Sequence, residues 1–220
     1  MYSFPSNCQI PSLSFVYETV FDDKKGLFIE VGAYNGQDFS NTSGLADKGW
    51  KGIYIEPNPS MMDLCKSRHK NNDCQFIQKA VGLGNGEVNL RLGGTLSTFN
   101  QEHFDIYKKM DWSKNELTDK EITVELITLN EIFKENGLET CEVLVIDVEG
   151  SEMDVMEGFD LEKYKPKMII IELVDQHPDI IKLLSPESKQ SFKALRERFG
   201  CLYNVLYKDT INTVFLRRDD

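Results

Sequence analysis

The stretch Phe28–Gly36 reads FIEVGAYNG, an apolar run that passes directly into a glycine-rich turn. The apolar residues predict a first buried strand over Leu27–Val31. Gly32 and Gly36 predict a sharp turn after it, where backbone amides approach a bound ligand that a Cβ atom would exclude. Such a turn is typical of nucleotide-like cofactor sites, and an ordinary tight turn is the alternative.

A second stretch, Gly52–Pro59, reads GIYIEPNP and predicts another strand that ends in an acid. Glu56 follows Gly36 by 20 residues. A carboxylate at this spacing accepts hydrogen bonds from the two hydroxyls of a ribose. Pro57 and Pro59 restrict the turn that follows and favour a positioned acid over a mobile surface carboxylate.

The spacing of the glycines bears on which cofactor the site takes. A dinucleotide carries a pyrophosphate and favours G-x-G-x-x-G, whereas here Ala33, Tyr34 and Asn35 separate Gly32 from Gly36. The loop therefore suits a cofactor without phosphate. Glu30 places a negative charge near a ligand that would carry an amine and a sulfonium, unless it is a structural or capping acid.

Outward from these two stretches, short apolar runs alternate with amphipathic segments. This alternation predicts the α/β class, with a doubly wound, mostly parallel sheet. A turn at Gly84–Gly86 predicts a β-insertion after the third strand, and the end of the chain predicts an antiparallel strand pair. The predicted strands are 27–31, 52–56, 75–81, 87–92, 122–127, 143–148, 167–173, 201–207 and 210–216.

The predicted helices are 37–48, 60–70, 129–136, 152–157 and 188–199. Residues 96–121 are polar with interspersed aromatic residues and receive no assignment; a lid, a binding loop and disorder all fit them. The length suits a single domain over residues 1–220, with an N-terminal helical extension at 1–25 and a cofactor-binding core at 28–175.

Four polar residues follow the fourth and fifth predicted strands, at the edge where open α/β sheets bind ligands. These candidate catalytic residues are Asp147, Glu149, Glu172 and His177. Each offers a base for a hydroxyl nucleophile, and several acids at one crevice also suit a divalent cation. His177 equally fits a solvated turn. Ser151 and Glu152 are expected to begin a helix, with Ser151 as its cap.

Composition limits the partners. A net charge of −11 argues against nucleic acid, whose affinity requires clustered Lys and Arg, and favours a small-molecule or glycan acceptor. Five scattered cysteines indicate a reducing compartment, and no apolar run nears the roughly 20 residues that span a membrane. We therefore expect a cytoplasmic protein without a membrane partner. The sequence does not give the oligomeric state.

Four blocks of the chain resemble the FkbM-type methyltransferases, which are class I enzymes with a Rossmann-like fold. FIEVGAYNG is similar to the family's D-V-G-A-N-x-G, and GIYIEPNP is similar to its second-strand E-P. KAVGLGNGEV at 79–88 resembles A-V-G-x-x-x-G, and VLVIDVEGSEMDVMEGF at 143–159 resembles I-D-V-E-G-x-E-x-x-V-L-x-G. The family often has Lys or Asn before I-D-V-E-G, and Val145 stands there.

The resemblance implies S-adenosylmethionine as the cofactor and roles for matching residues. Its methionine moiety would lie among residues of the first turn, Glu56 would hold the ribose, and the 80–81 pair would contact the adenine. Asp147 and Glu149 would border the reaction centre. The candidate cofactor residues are Glu30, Gly32, Ala33, Tyr34, Asn35, Gly36, Glu56, Pro57, Ala80, Val81 and Asp147.

The resemblance also implies O-methylation, often of a sugar hydroxyl or a glycosylated natural product. Two alternatives stay open at this point. A nucleotide-dependent oxidoreductase would share the first strand, the turn and Glu56, and a non-catalytic module could retain the cofactor site without turnover.

Overall fold

The computed structural model describes residue 3 and residues 8–218 of the chain. Its strands are β1 (Leu27–Val31), β2 (Lys51–Ile55), β3 (Cys74–Ile77), β4 (Ala80–Val81), β5 (Gly86–Arg91), β6 (Glu121–Ile127), β7 (Val143–Ile146), β8 (Met168–Glu172), β9 (Tyr203–Lys208) and β10 (Asn212–Arg217). Its helices are α1 (Leu13–Phe21), α2 (Ser43–Asp47), α3 (Pro59–Arg68), α4 (Gln101–Tyr107), α5 (Leu129–Glu135), α6 (Glu152–Glu157), α7 (Leu161–Tyr164), α8 (Ile180–Leu183) and α9 (Pro186–Leu202).

Seven strands form the main sheet in the order β3-β2-β1-β7-β8-β10-β9. The first five run parallel to one another, and β10 pairs antiparallel with both β8 and β9. The predicted doubly wound sheet with an antiparallel C-terminal pair is confirmed. Because the chain winds outward from β1 in one direction and from β7 in the other, a crevice opens between the ends of these two strands.

The central strands bury both faces, which explains their continuous apolar sequences. In β7, Leu144 and Ile146 pack into one core with α5, α6 and α9, whereas Val143 and Val145 pack into a second core with α1 and α2. All four side chains are at most 1% exposed. The two cores clamp β1 and β7, so the strand ends that form the crevice have a rigid base.

The helix predicted over residues 37–48 is wrong in its first half, because only α2 at its end is helical. The Asn35 side chain accepts hydrogen bonds from the Gln37 and Asp38 amides at 3.0 and 2.8 Å. Ser40 Oγ accepts from two further amides. These side chains satisfy the amides locally and so compete with helix formation.

The third predicted strand, 75–81, divides between two sheets. Its first part is β3 at the edge of the main sheet, and β4 instead pairs in parallel with β6. With β5 antiparallel to β6, these strands form a separate three-stranded sheet, which is the predicted insertion. The chain therefore leaves the main sheet between Ile77 and Ala80.

The unassigned segment 96–121 contains helix α4. Asn100 begins this helix, because its side chain accepts the His103 amide at 3.0 Å while donating to the Gly150 carbonyl at 2.6 Å. Thr98 Oγ1 donates to the Glu149 carbonyl at 2.8 Å. The segment is thus fastened to the loop after β7.

The other predicted strands and helices are present, with ends shifted by at most three residues. Helix α1 lies in the expected N-terminal extension, of which residues 1–2 and 4–7 fall outside the described residues. Among helices in the described ranges, none has the length and apolar character required to cross a bilayer.

Candidate active site

A cavity of about 240 Å³ lies at the crevice between β1 and β7. The ends of β1, β2, β7 and β8 supply its base, the small sheet supplies one wall, and segment 94–112 supplies another. Twelve of the fourteen residues expected to form the site line it. They are Glu30, Gly32, Ala33, Tyr34, Glu56, Pro57, Ala80, Val81, Asp147, Glu149, Glu172 and His177.

Gly32 is required by a close crossing of two backbones. Its φ is +85°, and a Cβ atom at this position would lie 1.6 Å from the backbone oxygen of Asp147. The turn after β1 and the end of β7 therefore touch through a position that only glycine can occupy. This contact sets the distance between the two halves of the site.

Four amides of the Gly32–Gly36 turn are already used inside the protein, contrary to the expectation that they would face a ligand. Gly32 and Ala33 both donate to the Ile55 carbonyl at 2.9 and 3.0 Å, and Gly36 donates to Ala33 at 2.9 Å. The Tyr34 amide donates to Glu56 Oε2 at 2.9 Å. Phosphate binding at such turns depends on free amides, so this turn is poorly suited to a pyrophosphate.

Asn35 and Gly36 are the two expected residues that do not line the cavity. The Asn35 side chain also donates to Asp38 at 2.7 Å, which uses it to shape the turn. The Gly36 carbonyl contacts His69 Nε2 at 2.7 Å, and its Cβ position is crowded by Cys65 and His69. Both residues build the turn rather than contact a ligand in the cavity.

Glu30 lines the cavity and also organises the loop before α2. Its carboxylate accepts hydrogen bonds from the Thr42 hydroxyl at 2.7 Å, the Asn41 amide at 3.0 Å and the Ser40 hydroxyl at 3.0 Å. The side chain is 3% exposed. Burial raises its pKa to about 7, despite these donors, which favour the charged form.

This pKa predicts how the unfolding free energy of the protein changes with pH. Between the ordinary value of 4.5 and about 7, the folded state binds more protons at Glu30 than the unfolded state does. Stability therefore falls as pH rises through this window, by about 3 kcal/mol for this group. We expect urea unfolding of Glu30→Gln to show a weaker loss between pH 5 and pH 8 than the native protein. Equal losses in the two proteins would contradict this assignment.

Glu56 lies at the end of β2 with both carboxylate oxygens oriented by backbone donors. Oε2 accepts the Tyr34 amide, and Oε1 accepts the Asn58 amide at 2.8 Å. Asn58 in turn begins α3, where its side chain accepts the Ser60 amide. Each oxygen retains a lone pair for the cavity. Burial raises the pKa of Glu56 to about 7.

A cluster of acids lies at the ends of β7 and β8 and the start of α6. Asp147, Glu152 and Glu172 each place a carboxylate oxygen within 4.8 Å of the others. Glu149 lies beside them and accepts the Tyr107 hydroxyl at 2.6 Å. Burial, reinforced by the neighbouring Asp147 carboxylate, raises the pKa values of Glu149 and Glu172 well above the ordinary range.

Ser151 and Glu152 begin α6 as expected, with Ser151 at the N-cap position, but the Ser151 side chain makes no capping hydrogen bond. Its hydroxyl has no hydrogen-bond partner among the described residues. Glu152, the first residue of α6, instead accepts the Val148 and Gly150 amides on Oε1 at 3.0 and 3.1 Å. Its carboxylate therefore folds back onto the loop after β7.

His177 lines the cavity, but one ring nitrogen is occupied. Nδ1 lies 3.3 Å from the amides of Asp179 and Ile180 and accepts from both. An imidazole whose Nδ1 accepts carries its proton on Nε2. The geometry therefore favours a role for His177 as a hydrogen-bond donor through Nε2 over the predicted role as a general base.

The sequence missed two groups of cavity residues. Gln9 Nε2 donates to Asp147 Oδ2 at 3.1 Å, and Gln9 Oε1 accepts from Asn41 at 3.3 Å. No pattern near residue 9 indicates this contact. The aromatic wall of Phe99, Tyr107 and Trp112 comes from the unassigned segment, whose aromatic content was the available signal.

A Rossmann-like sheet with this strand order, a ligand crevice at its switch point and a carboxylate after the second strand define a class I methyltransferase. Two solved structures share the fold. An O-methyltransferase from Bacillus cereus in complex with SAH has a TM-score of 0.51 and 14% identity, and the match covers 97% of this chain and 84% of that one. The O-methyltransferase TomG from Streptomyces achromogenes, involved in tomaymycin synthesis and in complex with SAM, has a TM-score of 0.50 and 11% identity, with coverage of 95% and 80%.

The family model of the methyltransferase FkbM domain matches residues 30–202 of this chain. The chain belongs to the FkbM methyltransferase family, as its four sequence blocks predicted. A comparison with curated proteins gives no significant match.

Proposed function

We propose that this methyltransferase uses S-adenosylmethionine and transfers its methyl group to a hydroxyl of a sugar, a glycan or a glycosylated small molecule. The observation that carries the cofactor assignment is Glu56. Its two oxygens are fixed by backbone amides at the end of β2 while the side chain borders the cavity. A carboxylate held in this way accepts both hydroxyls of a ribose.

Charge supports a cationic cofactor over a dinucleotide. Six carboxylates line the cavity, and Lys79, which also lines it, pairs with Glu125 at 3.0 Å. A pyrophosphate would meet both this negative field and a turn whose amides are already bonded. A sulfonium and an ammonium group would gain from the same field. The SAH and SAM present in the two similar structures agree with this choice.

The aromatic wall supports a neutral, ring-shaped acceptor. Trp112 borders the cavity with 53% of its surface exposed, and its ring meets Tyr107 edge-on with centroids 5.8 Å apart. Exposed aromatic rings beside a polar pocket offer a flat apolar surface and hydrogen bonds together. The acidic net charge favours such an acceptor over nucleic acid. We place the reaction in the cytoplasm, because the five cysteines are all unpaired.

In the proposed reaction the acceptor oxygen attacks the methyl carbon as the carbon–sulfur bond breaks. The products are S-adenosylhomocysteine, a methyl ether and one proton. The acids Asp147 and Glu149, which follow β7, border the same cavity, and one of them receives that proton. Alignment of the two reactants and exclusion of water supply most of the rate.

Isothermal titration calorimetry tests the cofactor assignment. We expect S-adenosylhomocysteine to bind the native protein and NAD to give no heat. Glu56→Gln should weaken S-adenosylhomocysteine binding by roughly 10- to 100-fold, because hydrogen bonds to a charged group contribute about 1.5–3 kcal/mol. Glu87→Gln, which changes an exposed acid of β5 away from the cavity, is the matched control.

Binding of NAD without S-adenosylhomocysteine would overturn the proposal in favour of an oxidoreductase. A screen of glycan and small-molecule acceptors for S-adenosylhomocysteine release then addresses turnover. Cofactor binding without release on any acceptor would support the non-catalytic module instead.

A further inference from the structure

We infer that the acids after β7 and β8 form a divalent cation site, with Asp147, Glu152 and Glu172 as its protein ligands. One carboxylate oxygen from each lies within 4.8 Å of the other two. These residues come from the ends of two adjacent strands and the start of α6, which the two cores hold rigidly. The inference deepens the proposed function, since the cation would lie at its acceptor end.

Two members of the cluster carry an unpartnered oxygen, which points to a ligand. Glu172 is 8% exposed, and its Oε2 has no hydrogen-bond partner among the described residues. Asp147 Oδ1 also has no hydrogen-bond partner among the described residues, whereas Gln9 Nε2 donates to Oδ2 of the same carboxylate. Buried carboxylate oxygens without partners are costly unless a cation is bound between them or the groups take up protons.

The basic groups that line the cavity do not supply that cation. Lys79 is paired with Glu125 in the small sheet, and His177 caps α8 through Nδ1. Arg196 does not line the cavity, and its Nε donates to Asp175 at 3.0 Å. A metal ion or bound protons must therefore balance the clustered carboxylates.

The three carboxylate ligands favour a hard divalent cation. Oxygen ligands lie 2.3–2.6 Å from Ca²⁺ and about 2.0–2.1 Å from Mg²⁺, so opposite ligands are separated by roughly 5 Å and 4 Å, respectively. Separations of at most 4.8 Å are compatible with either ion, and Mn²⁺ accepts the same hard oxygen donors. Three protein ligands leave coordination positions for water or an acceptor hydroxyl, whose deprotonation the ion would assist.

Electron paramagnetic resonance of Mn²⁺ tests the site without an enzymatic assay. Titration of the EDTA-treated protein should remove the free-ion signal with one saturable site per chain, and added Ca²⁺ should compete. Glu172→Gln keeps the shape of the side chain and should weaken Mn²⁺ binding by at least about 10-fold. Glu87→Gln, on the exposed face of β5, should bind as the native protein does.

Absence of saturable Mn²⁺ binding, or equal binding by Glu172→Gln, would overturn the inference and leave a pair of carboxyl groups that share a proton. S-adenosylhomocysteine calorimetry on the same samples separates the two proposals. Cofactor binding without Mn²⁺ binding rejects only the cation site, and Mn²⁺ binding without cofactor binding rejects only the proposed function.

Discussion

Gly32→Ala should abolish the folded cofactor site. The added Cβ atom would lie 1.6 Å from the Asp147 backbone oxygen, and the φ of +85° is itself unfavourable for alanine. Because both partners are backbone atoms at the centre of the sheet, no side-chain rotation relieves the clash. We expect a loss of more than about 4 kcal/mol of unfolding free energy, or insoluble protein.

Gly137→Ala separates the steric clash from the unfavourable φ when both variants are unfolded in urea. This glycine also has a positive φ, +62°, but nothing lies within 4 Å of its Cβ position. It should lose only the about 1–2 kcal/mol that a left-handed alanine costs. Similar losses in the two variants would show that backbone conformation, and not the crossing with Asp147, limits position 32.

Asp147→Asn should reduce methyl transfer by roughly 100- to 10,000-fold on the acceptor that the screen selects. The substitution keeps the shape of the side chain but removes a carboxylate that borders the cavity. It leaves an oxygen for Gln9, which donates to Oδ2 in the native protein. We therefore expect the variant to fold, and initial rates at saturating cofactor measure the loss.

Asp63→Asn is the control for this variant, because its carboxylate is 77% exposed on α3 and pairs with Lys66 at 3.5 Å. That variant should retain the native rate. If Asp147→Asn kept more than about a tenth of the native rate, Asp147 would have no place in the chemistry, and Glu149 would become the principal candidate for the proton acceptor.

The sheet could be predicted because buried strands have continuous apolar sequences and their order follows from the winding rule. The division of residues 75–81 between two sheets could not be predicted from the sequence. Ile77 and Val81 are equally apolar, and only the pairing of β4 with β6 decides where the strand ends. The helix over 37–48 failed for a related reason, since its amides bond to Asn35 and Ser40.

In the candidate site, too, local features could be predicted and long-range contacts could not. Glu56 follows from its spacing, because strand length and turn geometry are local properties. The contact of Gln9 with Asp147 is not local, and a glutamine near a chain end carries no pattern that predicts it. The glycine turn was located correctly, but its amides bond to Ile55 and Glu56. A sequence shows which atoms can donate but not where they find an acceptor.

The contact between Gln9 and Asp147 also affects how the protein assembles. It joins residues 138 positions apart, and Gln9 also holds Asn41, so three distant parts of the chain meet at this point. Closing a loop of this length costs more conformational entropy than forming a contact between residues that are close in sequence. During synthesis, Gln9 leaves the ribosome long before Asp147. The reaction centre is therefore completed late in folding, after most of the cofactor end has been synthesised.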